Sequence, residues 1–156
     1  MTESYPEYVQ EPPQFEIEIN YPVAFALEEY IADRQVGLTR AVYDMARLGL
    51  SATELILNGC SIEAQYSDGE QSYTAPEEMD LDKIDQVRRI RVAIPQELQD
   101  SIRLMAMRCE LADEEMFARL IEEARTLRIV HKRGGMLICT HPDGRVVEII
   151  LPQEED

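Results

Sequence analysis

Three cysteines and two histidines are the residues of this 156-residue chain best suited to hold a metal or act as a nucleophile. In Cys139-Thr140-His141 a thiol and an imidazole stand two positions apart, so on a strand they share one face beside a turn. With His131 they match no standard zinc spacing. The expectation is a buried Cys139 and a surface His141, with no metal, no cofactor and no covalent catalysis. The numerous carboxylates fall into no recognisable general acid/base frame, and solvated faces account for them. No glycine-rich phosphate loop is present. An enzyme is therefore not expected.

Cys60, Cys109 and Cys139 are scattered and odd in number, which suits a reducing compartment better than a disulfide framework. The start of the chain, MTESYPEYVQEPPQ, is acidic and proline-rich and lacks a basic-then-apolar leader layout. No apolar run is long enough to span a membrane. These features predict a cytoplasmic protein without a membrane partner.

The net charge is −16, unevenly placed: residues 1–87 hold 18 acidic against 4 basic side chains, and residues 88–156 hold 13 against 11. An acidic balance disfavours phosphate backbones as partners, because non-specific nucleic-acid affinity comes from lysine and arginine. One basic feature is LRIVHKRGG, with Arg128, His131, Lys132 and Arg133 and with Arg125 just before it. It reads either as a grip for a phosphate or an acidic partner, or as a helix C-terminus with favourable cations and a glycine stop.

Two segments must position these groups. EIEINYP (16–22) and RIRVAIP (89–95) both alternate polar with apolar residues and both end in proline, with opposite charges. Superposing Pro22 on Pro95 aligns them at an offset of 73, whereas SDG (67–69) and PDG (142–144) align at 75. The pattern predicts a repeated unit of strand, helix, helix and hairpin. A helix over VAFALEEYIADR matches one over QELQDSIRLMAMR, where Leu98, Ile102 and Met105 share a face. TRAVYDMARLGL, with Thr39 as N-cap, matches ADEEMFARLIEEARTLR. In the latter, Met116, Phe117, Leu120, Ile121, Ala124 and Leu127 form one apolar stripe. SATE (51–54) is a capping-box pattern that predicts a separate helical turn. Met105, Met107 and Met116 are expected in the core. Hairpins are expected about Asp68-Gly69 and Asp143-Gly144. The boundaries follow: a disordered acidic tail at 1–14, a first unit at 15–75, a charged linker at 76–87, a second unit at 88–152 and an acidic tail at 153–156.

A lone short strand needs a partner for its backbone groups, and a second unit in the same chain supplies one. This arrangement resembles the ribbon-helix-helix superfamily of Arc, MetJ and CopG-like repressors, over most of residues 15–50 and 88–128. Gly37-Leu38-Thr39 is similar to the family's break between helices, while Glu110-Leu111-Ala112 departs from it. The trailing hairpin also looks like an extension found on some bacterial members. The resemblance implies an α+β fold in which the two units pair as an intramolecular pseudo-dimer, a two-stranded antiparallel ribbon over four helices, with two additional β-hairpins.

It further implies that Glu16, Glu18, Asn20, Arg89, Arg91 and Ala93 form the exposed ribbon face, available for cross-strand pairing or DNA readout. Ile17, Ile19 and Tyr21 would point inward with Ile90, Val92 and Ile94. In the expected register Glu18 opposes Arg91, Glu16 opposes Ala93 and Asn20 opposes Arg89. Thr39 and Arg40, and then Arg128, His131, Lys132 and Arg133, are the candidates for phosphate or acidic-partner contacts. Glutamates on the ribbon and Asp113, Glu114 and Glu115 at the second unit's second helix oppose DNA. The expected function is a non-enzymatic regulatory or protein-interaction module, monomeric or homo-oligomeric. The alternative is a DNA-binding transcription regulator or antitoxin-like repressor.

Overall fold

A computed structural model describes residues 14–66 and 78–151. The elements run β1 (Gln14–Asn20), α1 (Tyr21–Arg34), α2 (Leu38–Leu57), β2 (Ser61–Gln65), β3 (Val87–Ala93), α3 (Gln96–Cys109), α4 (Asp113–Lys132), β4 (Met136–Thr140) and β5 (Val146–Ile149). The fold is α+β, with two small antiparallel sheets: β1 pairs with β3, and β4 lies between β2 and β5. Residues 1–13 of the expected first tail, the acidic tail at 153–156 and the turn at Asp68-Gly69 lie outside the described residues. The segment expected as a linker contains a short 3-10 turn at Leu81–Lys83, opened by the Asp80 carboxylate accepting from the Asp82 N–H at 3.0 Å.

The two halves correspond element for element. α1 and α3 are 14 residues each, α2 and α4 are 20, and β2 and β4 are 5. These pairs begin 75 residues apart, at Tyr21 and Gln96, Leu38 and Asp113, Ser61 and Met136, whereas the seven-residue β1 and β3 begin 73 apart, at Gln14 and Val87. α1 and α3 also end alike, on left-handed residues Gln35 (φ 55°) and Glu110 (φ 58°). Both expected offsets are thus present: 73 holds between the strand starts, and the helices follow the 75 expected from the turns. Pro22 lies inside the first turn of α1, while Pro95 is the N-cap of α3. Proline fits both places because neither requires its N–H, so the two prolines mark different positions at the helix starts.

The strand register is corrected with it. Glu16 faces Arg91, Ile17 faces Ile90, Glu18 faces Arg89, and Asn20 faces Val87. The expected pairing differs by two residues, a slip that leaves each side chain on its original face and that alternation cannot detect. The observed register opposes two Glu–Arg pairs instead of one. It also brings Phe15 into the buried row, its ring centroid 5.6 Å from that of Phe117. Ile17, Ile19, Ile90, Val92 and Ile94 are buried as expected. Tyr21 is not inward; it opens α1, and its hydroxyl accepts from the Asp80 N–H at 3.0 Å.

Beneath the ribbon, side chains from both halves share one cluster that includes Leu27, Met45, Ile102, Met116, Phe117 and Leu120. Full burial of such a side chain contributes about 1.5–3 kcal/mol. The expected α4 stripe is buried throughout, as are Leu98, Ile102 and Met105. Met107 is a correction: it is 68% exposed, on the outer side of α3.

α2 continues unbroken through SATE, and Gly37 rather than Thr39 is its N-cap. Tertiary packing decides this. Ala52 and Thr53 are buried, and the Thr53 hydroxyl donates to Glu123 on α4 at 2.7 Å. One turn earlier, Gly49 meets α4 so closely that a Cβ there would overlap the Leu120 carbonyl. β2 then pairs with β4, so a strand from the first half joins the second half's hairpin.

Gly49→Ala is expected to destabilise the chain by about 1–3 kcal/mol in denaturant unfolding, although alanine is the better helix former by about 1 kcal/mol. A stabilised variant would contradict the α2–α4 contact.

Candidate functional site

The exposed ribbon face carries Glu16, Glu18 and Asn20 from β1 and Arg89 and Arg91 from β3, with Ala93 half-buried. Its charges close on one another. Glu16 Oε2 lies 3.4 Å from Arg89 Nε and 3.9 Å from an Arg91 amino nitrogen. Arg88, on the same strand, reaches Glu28 of α1 at 3.3 Å. Asn20 acts locally: its side-chain oxygen accepts from the Val23 N–H at 3.0 Å and caps α1. Glu16 thus partly balances Arg89 and Arg91 in ion pairs that remain exposed to solvent.

At the start of α2, Thr39 lies within the first turn, and Arg40 points at its own helix. The Arg40 Nε donates to both oxygens of Asp44 at 2.9 Å, an arrangement that raises the guanidinium pKa. Asp44 also accepts from the Tyr30 hydroxyl at 2.6 Å. Burial, and then this bond to a carboxylate, push the Tyr30 phenol up to about 12.

The basic stretch at the end of α4 is an internal clamp. Arg125 bonds Glu29 at 2.7 Å and stacks on Phe25 at 5.3 Å. Arg128 reaches Asp33 at 3.4 Å and lies 4.5 Å over the Tyr30 ring, and Lys132 bonds the same Asp33 oxygen. His131 is exposed on the last turn of α4, and Arg133 is its C-cap. The cations therefore fasten α4 to α1, a role the sequence reading of a helix C-terminus did not contain.

The opposite end of α4 is acidic. Asp113, Glu114 and Glu115 occupy its first turn, and the Glu115 carboxylate accepts from the Ala112 N–H at 3.0 Å. Glu114 and Glu115 line an open groove with Glu18, Glu122 and Glu123, against one cation, Arg119. Burial pushes the Glu122 carboxyl up. A helix N-terminus that already meets three acidic side chains has little attraction left for phosphate.

A third cluster escaped the sequence. Cys139 is fully buried, as expected, yet Cys60 lies beside it and beside the half-exposed His141. The Cys60 sulfur is 3.3 Å from His141 Nδ1, and the three potential ligand atoms lie within 4.8 Å of one another. The β2–β4 ladder explains the meeting: Ile62 faces Cys139 and Ser61 faces Thr140, so the next step sets Cys60 against His141 on the same face as Cys139. Gly59 permits the approach, with φ at 94° and the Pro142 ring where a Cβ would project. Burial and hydrogen bonding to Cys139 raise the Cys60 thiol pKa. Neither cysteine takes part in a disulfide. No local spacing announces this trio, because the register between the two halves assembles it.

Among the described residues no helix is long and apolar enough to cross a membrane. Comparison with known proteins found no matching family model, no similar curated protein and no similar solved structure.

The Tyr30–Asp44 bond has a pH signature. Folding favours the neutral phenol, so the contribution is present below the ordinary value of 10.0 and is lost as pH rises towards about 12. The wild-type chain should lose stability across that window by more than Tyr30→Phe does, measured by denaturant unfolding at stepped pH. Parallel profiles would refute the assignment.

Proposed function

We propose that the chain is a non-enzymatic regulatory module with ribbon-helix-helix-like architecture, in which the two halves stand in for the two protomers and the surface recognises a protein instead of DNA. The carrying observation is that the outward arginines of the ribbon, Arg89 and Arg91, both close on Glu16. A ribbon that reads DNA needs free donors towards the groove and cations towards the backbone. Here the ribbon's arginine charge is partly balanced by Glu16, and the α4 N-terminus that would receive a phosphate is acidic.

The chemistry left on the surface suits a basic partner. The groove of Glu18, Glu114, Glu115, Glu122 and Glu123 offers five carboxylates beside apolar Val87, which is itself exposed. With a chain charge of −16, a lysine- or arginine-rich protein segment would be steered to it at low salt. The 3-10 turn and the β5 strand add exposed apolar side chains, Leu81 and Val146, that such a partner would cover.

Two measurements test this function. Titration against random-sequence duplex DNA at low salt is expected to show no binding; micromolar affinity with a steep salt slope would favour the DNA-binding alternative. Glu16→Gln, which releases Arg89 and Arg91, should increase whatever DNA affinity exists. Proteins captured from native cells should resist nuclease treatment and be lost with the Glu114→Lys/Glu115→Lys variant. Capture that depends on nucleic acid and ignores those charges would overturn the assignment.

A further inference from the structure

We infer that Cys60, Cys139 and His141 form a binding site for a zinc ion, which fastens the start of β2 to the β4–β5 hairpin. Nothing in the module's proposed partner recognition depends on it.

Ligand type is the first support. Two sulfurs and one imidazole nitrogen form a soft donor set, which selects zinc or copper(I) over the hard cations that prefer oxygen. Charge narrows the choice. Two thiolates with a neutral imidazole cancel the +2 of zinc, whereas copper(I) would leave a net negative charge in a buried place, with Cys139 fully buried. Both thiols release their protons to solvent when the ion binds, and no electron is transferred.

Geometry is the second support. Tetrahedral zinc with ordinary bond lengths holds two sulfurs about 3.8 Å apart and a sulfur and a nitrogen about 3.5 Å apart. The Cys60 sulfur already stands 3.3 Å from His141 Nδ1, and all three atoms lie within 4.8 Å of one another. Small rotations of the side chains are enough to close the site. A fourth position is left for water; three protein ligands with a water is the coordination of catalytic rather than structural zinc, and here it would serve to clip β2 to the hairpin.

The third support is a prearranged backbone. The Cys60 N–H donates to the Leu55 carbonyl at 3.0 Å, which fixes it past the end of α2. The His141 N–H donates to the Arg145 carbonyl at 2.8 Å, and the His141 carbonyl accepts from Gly144 at 2.9 Å. Cys139 sits between partners on both sides, Ile62 and Val147. Binding therefore orders little chain, and its free energy adds to the stability of the fold.

The reduced full-length chain, stripped with chelator, is titrated with cobalt(II) and then with zinc(II). Equimolar cobalt should produce thiolate-to-cobalt charge-transfer absorption with tetrahedral visible bands, and equimolar zinc should bleach them. His141→Gln alters a half-exposed turn residue and should leave the far-ultraviolet circular dichroism unchanged. It should weaken zinc by more than the roughly 10–100-fold that loss of an outer-shell partner costs. Cys60→Ser should do likewise, and Cys109→Ser should change nothing. Zinc should raise the melting temperature of the wild type but not of His141→Gln. Cobalt spectra without thiolate bands, unchanged zinc affinity in a folded His141→Gln, or uptake of copper(I) but not zinc would each overturn the site.

Discussion

The antiparallel contact between β1 and β3 is the constraint on which the rest of the molecule depends. Each is a seven-residue strand, too short to satisfy its own backbone, and each buries one row of side chains only when the other is present. Glu16 and Arg91 face each other, and they are the two residues of the ladder that stand 75 positions apart. The helical offset and the strand register thus share a centre. Two copies of β1 in the same register would set Glu16 against Glu16, and two copies of β3 would set Arg91 against Arg91. Opposed like charges destabilise a ribbon, so the chain favours pairing its own unlike halves.

Everything else is placed from that pairing. Phe15, Ile17 and Ile19 meet Ile90, Val92 and Ile94 over the helices, and α2 crosses α4 where Gly49 lets the backbones touch. The crossing delivers β2 from the first half to β4 of the second, and with it Cys60 to Cys139 and His141. Charge follows the same logic. Arg89 and Arg91 on the ribbon, Arg40, and Arg125 and Arg128 of α4 each lie against a carboxylate of the same chain.

Much of this was legible in the sequence. Alternation identified both strands and the buried rows, and helical periodicity identified the α4 stripe, because each pattern is set locally by the backbone. The repeat is visible with both its offsets, 73 at the strands and 75 at the turns, but a difference of two residues hides which of them the helices follow. Register was illegible for the same reason: a slip of two preserves alternation, and the choice turns on Phe15 entering the core. SATE carried a true capping signal that the burial of Ala52 and Thr53 overrode. Met107 read as core because sequence periodicity cannot show which face of α3 lacks a neighbour. The Cys60 cluster was hidden most deeply, since its members come from different halves and meet only through the β2–β4 ladder.

A double-mutant cycle on the central pair tests the account most directly. Glu16→Arg, Arg91→Glu and the swapped double variant are compared with the wild type by equilibrium denaturation at low salt, with association state followed in parallel. Each single reversal should destabilise the chain, and the double should recover most of the loss, with a coupling energy of about 0.2–1 kcal/mol for a partly exposed cross-strand pair. Strictly additive losses, with no recovery in the swap, would mean that β1 and β3 do not meet at Glu16 and Arg91.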